Sequence, residues 1–170
     1  YKLSPFKRTG LMSKGEVWTC NYKAIFEGKK TLLKDIIQKK VDDAWFYLDE
    51  DEIKQWKYLK GAKKEERTVK ATGFKFTYAE GPLPFPDPLD RPSRTMITGE
   101  GGKAPSRFKH VIKDSTKKLR RITPIEAERL NGFPDDWTLT DTMPTNFRYF
   151  CMGNALVVPL VGEIMEGIKI

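Results

Sequence analysis

Arg121-Ile122-Thr123-Pro124-Ile125-Glu126-Ala127-Glu128-Arg129-Leu130-Asn131-Gly132-Phe133-Pro134 carries every local signal of a short helix with fixed ends. The Thr123 hydroxyl is placed to accept from a free amide of the first turn. Pro124 suits the first helical position, where an N–H has no intrahelical partner in any case. Glu126, three residues after Thr123, completes a capping box, and Gly132 offers a left-handed stop before Phe133-Pro134. The spacing predicts the clearest helix of the chain.

Downstream, Tyr149-Phe150-Cys151-Met152-Gly153-Asn154-Ala155-Leu156-Val157-Val158 leads into an apolar end. Leu156, Val157, Val158, Leu160, Val161, Ile164, Met165 and Ile168 cover more than one face of a helix running from about Val158 to the end, with Pro159 tolerated in its first turn. A helix of this kind is expected to be buried on several sides. It is either an ordinary core helix or one cut to fit a surface that this chain lacks. Ahead of it, Gly153 allows close backbone approach, Asn154 carries donor and acceptor, and amides at a helix start are free for polar groups. A plain Asn cap after a Gly turn has the same three residues.

Upstream, Gly10 and Gly15 bracket Leu11-Met12-Ser13-Lys14, and Glu16-Val17-Trp18-Thr19-Cys20-Asn21-Tyr22 is rich in β-formers, which predicts a hairpin. From Thr31, Leu32, Leu33, Ile36, Ile37 and Val41 recur at helical spacing, predicting a short amphipathic helix. A second helix starts at Asp49 with Glu52 in a capping box; Ile53, Trp56 and Leu59 form its inner stripe and Gly61 ends it. Lys54, Lys57, Lys60, Lys63, Lys64, Arg67 and Lys70 make a positive band, softened by Glu65 and Glu66, which reads as a solvated helix face. Phe74, Phe76 and Tyr78 alternate with polar residues as a strand does, and the prolines of Gly81–Pro88 predict a stiff extended loop. Arg94–Thr98 is expected as a short strand, Gly99–Lys103 as a flexible basic-tipped loop, and Arg107–Ile112 as another strand.

With 170 residues, 39% hydrophobic and 32% charged, the chain reads as globular, and no apolar run is as long as a bilayer is thick. A net charge of +8 favours an acidic partner, although a merely basic surface has the same balance. Cys20 and Cys151 follow no metal or redox spacing and read as buried small hydrophobes. A single histidine, His110, leaves little for a metal site or a His-based triad, and no metal is expected. Without a starting Met or a leader, the N-terminus is expected to be a cut or boundary, and the protein to be intracellular.

The segments 121–134 and 153–160 resemble the ninth and tenth motifs of the DNA (cytosine-5) methyltransferases. The resemblance implies that residues 1–119 are a target recognition domain and that residues 120–170 hold the ninth and tenth motifs, the last helix belonging to the catalytic domain. It implies an α+β fold: a small mixed recognition domain plus a C-terminal helical element that completes an absent Rossmann-like domain. It further implies that Asn154, Ala155 and Leu156 border an S-adenosylmethionine site. Arg91, Ser93, Arg94 and Thr95, followed by Gly99, Gly101, Gly102, Lys103 and Arg107, form the candidate DNA-reading stretch, because arginines fork onto guanine or phosphate and glycines admit the backbone to bases. A Gly-rich hairpin flanked by arginines is also common on protein surfaces. Thr95-Met96 stands where the family carries a characteristic Thr-Leu pair.

The family's Pro-Cys nucleophile, its Glu-Asn-Val motif and its Gly-rich cofactor loop are not in this sequence; Cys20 follows Thr19 and Cys151 follows Phe150. No catalytic residue is therefore assigned here. The expectation is the C-terminal part of a bacterial restriction-modification enzyme, inactive alone. Its partners are duplex DNA and a catalytic portion in the same chain or a second subunit, and its setting is the cytoplasm at the nucleoid. The last helix should fold back on its own domain or be covered by a second copy when the catalytic portion is absent. Two rivals stand beside this: a non-enzymatic basic DNA-binding module, and part of a tRNA-directed cytosine methyltransferase.

Overall fold

The computed structural model describes residues 7–21, 23, 25 and 28–168. The Tyr22 end of the expected hairpin and the last two residues of the expected terminal helix lie outside them. The chain divides into two compact units, Tyr1–Lys30 and Thr31–Ile170.

In the first unit, β1 (Thr9–Ser13) pairs antiparallel with β2 (Glu16–Cys20), Leu11 opposite Trp18. Lys14 and Gly15 form the two-residue turn with φ of 49° and 82°, the left-handed pair that matches strand twist. Almost every side chain of this hairpin is exposed, Cys20 included, so the expected burial of that thiol is corrected.

The second unit mixes helices with two-stranded antiparallel pairs. Its elements are α1 (Leu33–Ile36), a 3₁₀ turn (Ala44–Phe46), α2 (Glu50–Lys60), β3 (Lys63–Thr68) paired with β4 (Lys75–Glu80), β5 (Val111–Lys113) paired with β6 (Leu119–Arg121), α3 (Pro124–Leu130), α4 (Thr145–Asn154) and α5 (Val158–Gly167). Leu33, Ile36, Ile112, Ile122, Ala127, Tyr149 and Met152 form the core, so α3 and α4 pack with the β5–β6 pair and α1 around one centre. The β5–β6 pair runs across position 120, with Ile112 opposite Arg120.

The sequence signals for α3 are met in full. Thr123 caps, Pro124 stands at the start, Glu126 closes the box, and Gly132 has φ of 80°. α2 likewise starts on the Asp49–Glu52 box and ends at Gly61.

Several expectations are corrected. The helix expected from Thr31 is a single turn. Arg129 donates to Ile36 O at 2.9 Å and Gln38 N donates to Glu126 at 2.7 Å, so tertiary partners take the backbone groups that a longer helix would have used. The lysine band is not one helix face: Lys63, Lys64 and Arg67 lie on β3, and Lys60 is buried. No strand forms at Arg94–Thr98, where the Ile97 carbonyl accepts from Glu100 N in a turn. The strand expected from Arg107 begins only at Val111, because the Phe108 and Lys109 carbonyls accept from the Arg94 guanidinium instead of a neighbouring strand.

At the C-terminal end, Gly153 and Asn154 close α4 rather than open a helix, and the Ala155 amide is already bound to Met152 O at 3.2 Å. The free amides of a helix start are therefore not available there. α5 forms from Val158 with Pro159 in its first turn and meets its own domain at Asn131 and Gly132, but none of its residues is buried, so among the described residues its apolar arc is left uncovered. Thr145–Gly167 is apolar enough as one stretch, with mean hydropathy 1.2, to be considered for a membrane. It is interrupted by extended backbone at Ala155 and Val157, and each helix of 10 residues spans about 15 Å, half a hydrocarbon core.

Candidate nucleic-acid interface

The 121–134 segment is held by buried charge. Glu126 accepts from both terminal nitrogens of Arg120 at 2.8 and 2.6 Å, from the Thr123 amide at 2.8 Å and from the Gln38 amide at 2.7 Å, so both carboxylate oxygens are met. Arg121 reaches back to Glu52 at 2.8 Å, tying β6 to the start of α2. Glu128 accepts from the Thr138 amide at 2.9 Å and from Arg148 of α4 at 2.9 Å, as well as from the Thr138 hydroxyl. Burial alone would raise the Glu128 carboxyl, but these hydrogen bonds outweigh it and hold it below the usual range. Tyr149 donates to Ile122 O at 2.6 Å, and burial pushes its phenol well up.

Gly132 joins this segment to α5. A Cβ there would fall 2.5 Å from Pro159 Cδ, and Asn131 O accepts from Val158 N at 2.8 Å. The left-handed stop of α3 is thus also the seat of the α5 N-terminus.

The candidate DNA-reading residues are dispersed by this geometry. Arg94 is committed to a buried hub: its Nε donates to Asp87 at 2.7 Å and its terminal nitrogens to Phe108 O and Lys109 O at 3.1 Å each. Asp87 also accepts from Lys60 at 2.8 Å and from Val111 N at 2.9 Å. Burial would raise the Asp87 carboxyl, but the hydrogen bond from Arg94 and the charge of Lys60 hold it below the ordinary value. Arg107 is likewise engaged, with Glu80 and with Gly81 O at 2.7 Å. Ser93 lies against His110 at 3.0 Å, whose other ring nitrogen faces Glu100 at 3.1 Å.

The glycine loop is pinned from inside, which corrects its expected flexibility. Lys109 donates to Gly101 O and Ala104 O at 2.9 Å each, Glu100 is buried, and a Cβ on Gly101 would fall 2.5 Å from the Tyr149 ring. Burial lowers the Lys109 ammonium while Glu100 opposes the shift. Arg91, Thr95, Gly99 and Lys103 remain exposed, and Gly102 has open space and φ of 88°.

The structure does bring Ser93, Arg94 and Thr95 together with Ala155. All four line a cavity of about 580 Å³ that is also bounded by Asn131 and Met152. Gly153 explains the closeness: its Cβ would fall 2.4 Å from Thr98 Cα, so α4 lies flush against the 97–98 backbone. The remaining cofactor candidates point elsewhere. Asn154 is exposed, with its amide bonded to Phe150 O at 2.9 Å, and Leu156 is 73% exposed. One side-chain carbonyl and one leucine do not fit S-adenosylmethionine as a site of their own; they offer an edge.

Sequence reasoning missed the Asp87 hub, which sits in a proline-rich stretch with no periodic signal. It also missed α4, although Pro144 before it and the Tyr149–Met152 spacing were there to be read, and β3, whose partner strand was recognised.

A family model for C-5 cytosine-specific DNA methylase matches residues 12–170. Among curated proteins, the type II methyltransferase M.Sau3AI of Staphylococcus aureus is 45% identical over 164 residues, 96% of this chain, and the chain spans only 38% of that relative's length. M.BanI of Aneurinibacillus aneurinilyticus, also named a type II methyltransferase, is 47% identical over 47 residues, 28% of this chain and 10% of its own length. Two solved structures share the fold. The Entamoeba histolytica methyltransferase EhMeth has a TM-score of 0.54 at 17% identity, covering 86% of this chain and 42% of that one. The S. pombe Dnmt2 methyltransferase has a TM-score of 0.54 at 16% identity, covering 88% and 49%. With the capped 121–134 helix seated against α5, and a family match that takes in both, the chain belongs to the C-5 cytosine-specific DNA methylase family.

Proposed function

We propose that this chain is the C-terminal DNA-recognition portion of a DNA (cytosine-5) methyltransferase of the restriction-modification type. The complete enzyme transfers a methyl group from S-adenosylmethionine to carbon 5 of cytosine in duplex DNA. Residues up to about Leu119 serve recognition, the 121–134 helix supports them, and α5 docks into the catalytic portion, where Asn154–Leu156 border the cofactor. Such an enzyme works in the bacterial cytoplasm at the nucleoid.

The observation that carries the reading is α5. Leu160, Ile164, Met165 and Ile168 are 54–58% exposed on one side of a helix whose glutamates, Glu163 and Glu166, fall on the other. An apolar arc of this size is stable in water only when something covers it. A chain spanning 38% of its Staphylococcus aureus relative leaves room in such an enzyme for the covering part. That relative and M.BanI are named type II methyltransferases, which supports DNA over RNA as substrate.

The test is complementation. The chain, mixed or co-expressed with the catalytic portion of its enzyme, is expected to transfer labelled methyl groups to duplex DNA, and each part alone to transfer none. Methyl transfer by the chain alone, or none by the assembled pair on any duplex, would sink the proposal.

A further inference from the structure

The β3–β4 ribbon is an exposed feature of the second unit to which the proposed reading assigns no contact of its own. Its strands bury almost nothing on either face: of the twelve residues, only Lys63, Tyr78 and Glu80 are even partly covered. A ribbon with no core behind it is stabilised by its cross-strand contacts. Across the strands Arg67 stacks on Tyr78 at 3.6 Å from the ring centre, and along the second strand's own side Phe74 stacks on Phe76 with centroids 6.5 Å apart.

Its two ends differ. The base is clamped: Glu80 is held by Arg107 and Tyr78, Arg107 also bonds Gly81 O, and Leu83 N donates to Lys60 O at 2.8 Å. The Tyr78 hydrogen bond is the main reason the Glu80 carboxyl is held below its ordinary value. The tip is closed by its own backbone, with Val69 N on Phe74 O at 2.9 Å, Gly73 N on Val69 O at 2.9 Å, and Gly73 at φ of 69°. From Arg67 to Lys75 the sequence holds Arg67, Lys70 and Lys75 and no carboxylate, while Glu65, Glu66 and Glu80 lie nearer the base. Lys70 and Lys75 form no ion pair among the described residues, and Phe74 beside them is 64% exposed.

We propose that this ribbon is an arm that enters a groove of duplex DNA, with Lys70 and Lys75 on the phosphates and Phe74 against the base edges. Three observations favour this occupant. Between Arg67 and Lys75 no carboxylate offsets the cations, and their charge has the sign that releases counterions from a duplex. Strands about 4.8 Å apart make a ribbon that a major groove about 12 Å wide admits. A clamped base and a hydrogen-bonded tip hold the arm in shape before DNA arrives, so little ordering remains to be done on binding. The inference rests on the proposed function for the identity of the nucleic acid, and it adds a surface that the 91–107 stretch does not contain.

The test uses the complete enzyme containing this chain, with duplex DNA binding read by fluorescence anisotropy across a salt series and methyl transfer read on the same DNA. Replacing Lys70 and Lys75 together by Ala should flatten the log Kd against log salt slope by about 0.9 per cation removed. Lys70→Arg with Lys75→Arg should restore it. Phe74→Ala should weaken binding at an unchanged slope, and the Lys70 and Lys75 variants should keep the wild-type thermal midpoint because those two side chains are exposed and form no ion pair among the described residues. Wild-type affinity and slope in the alanine variants of an enzyme that methylates DNA would overturn the arm and leave the proposed function standing. An enzyme that neither binds nor methylates duplex DNA overturns both.

Discussion

At position 153 there is no room for a side chain. A Cβ would fall 2.4 Å from Thr98 Cα and 2.5 Å from Thr98 N, both backbone atoms that cannot rotate away. Gly153→Ala is therefore expected to lever α4 off the 97–98 segment and cost about 1–3 kcal/mol. Its neighbour Asn154 is exposed, and Asn154→Ala should stay within about 0.5 kcal/mol. Urea midpoints decide the matter, and equal midpoints for the two variants would refute the packing role of the glycine. Asp87 makes the second prediction at this scale. Its folded pKa lies below the unfolded value of about 3.9, so its stabilisation is complete above that value and is lost as the pH falls through the folded one. Asp87→Asn should be clearly less stable than wild type at pH 7, and the gap should shrink below about pH 4. Denaturant titrations at the two pH values measure it; a gap that stays constant would mean the carboxylate is not what Lys60 and Arg94 are there to meet.

At the scale of the element, α3 owes its place to Glu126 more than to its cap. Thr123→Ala removes one hydroxyl acceptor at 3.2 Å and should cost about 0.5–2 kcal/mol. Glu126→Gln leaves the buried Arg120 guanidinium without its countercharge and should cost about 3–5 kcal/mol. Thermal unfolding of both variants tests the order, and a Thr123 variant weaker than the Glu126 one would reverse it. The cap itself was legible in the sequence, because Thr123, Pro124, Glu126 and Gly132 act within one turn of themselves, and the same is true of Asp49 and Glu52. Arg120 as the partner of Glu126 was not, since Glu126 served there only as a capping residue. The strand β3 was hidden for a different reason. Lys63-Lys64-Glu65-Glu66-Arg67-Thr68 has no apolar alternation, and it is a strand because β4 lies beside it. The reading of Gly153-Asn154-Ala155 as a helix start failed because local chemistry cannot tell a turn that opens a helix from one that closes it. In the candidate site, Arg94 and Arg107 had the right chemistry for phosphate, but Asp87 and Glu80, 7 and 27 residues away, had taken it.

At the scale of the whole molecule, α5 decides how the chain behaves in the absence of a partner. Ile164 is 54% exposed on the apolar arc and takes no part in the core built from Leu33, Ile112, Tyr149 and their neighbours. Ile164 lies outside the buried core, so Ile164→Glu should leave the thermal midpoint of the isolated chain nearly unchanged. In the assembled enzyme the same carboxylate would have to enter an apolar socket, where burying an unpaired charge costs several kcal/mol. Association with the catalytic portion should then fall by at least a hundredfold, since about 1.4 kcal/mol is one factor of ten. Glu163→Ala, one residue away on the polar side, should leave association intact. Size-exclusion chromatography of the mixed parts reads the difference directly. If Ile164→Glu assembles like wild type while Glu163→Ala does not, the apolar arc faces water in the working enzyme and the docking role of α5 is wrong.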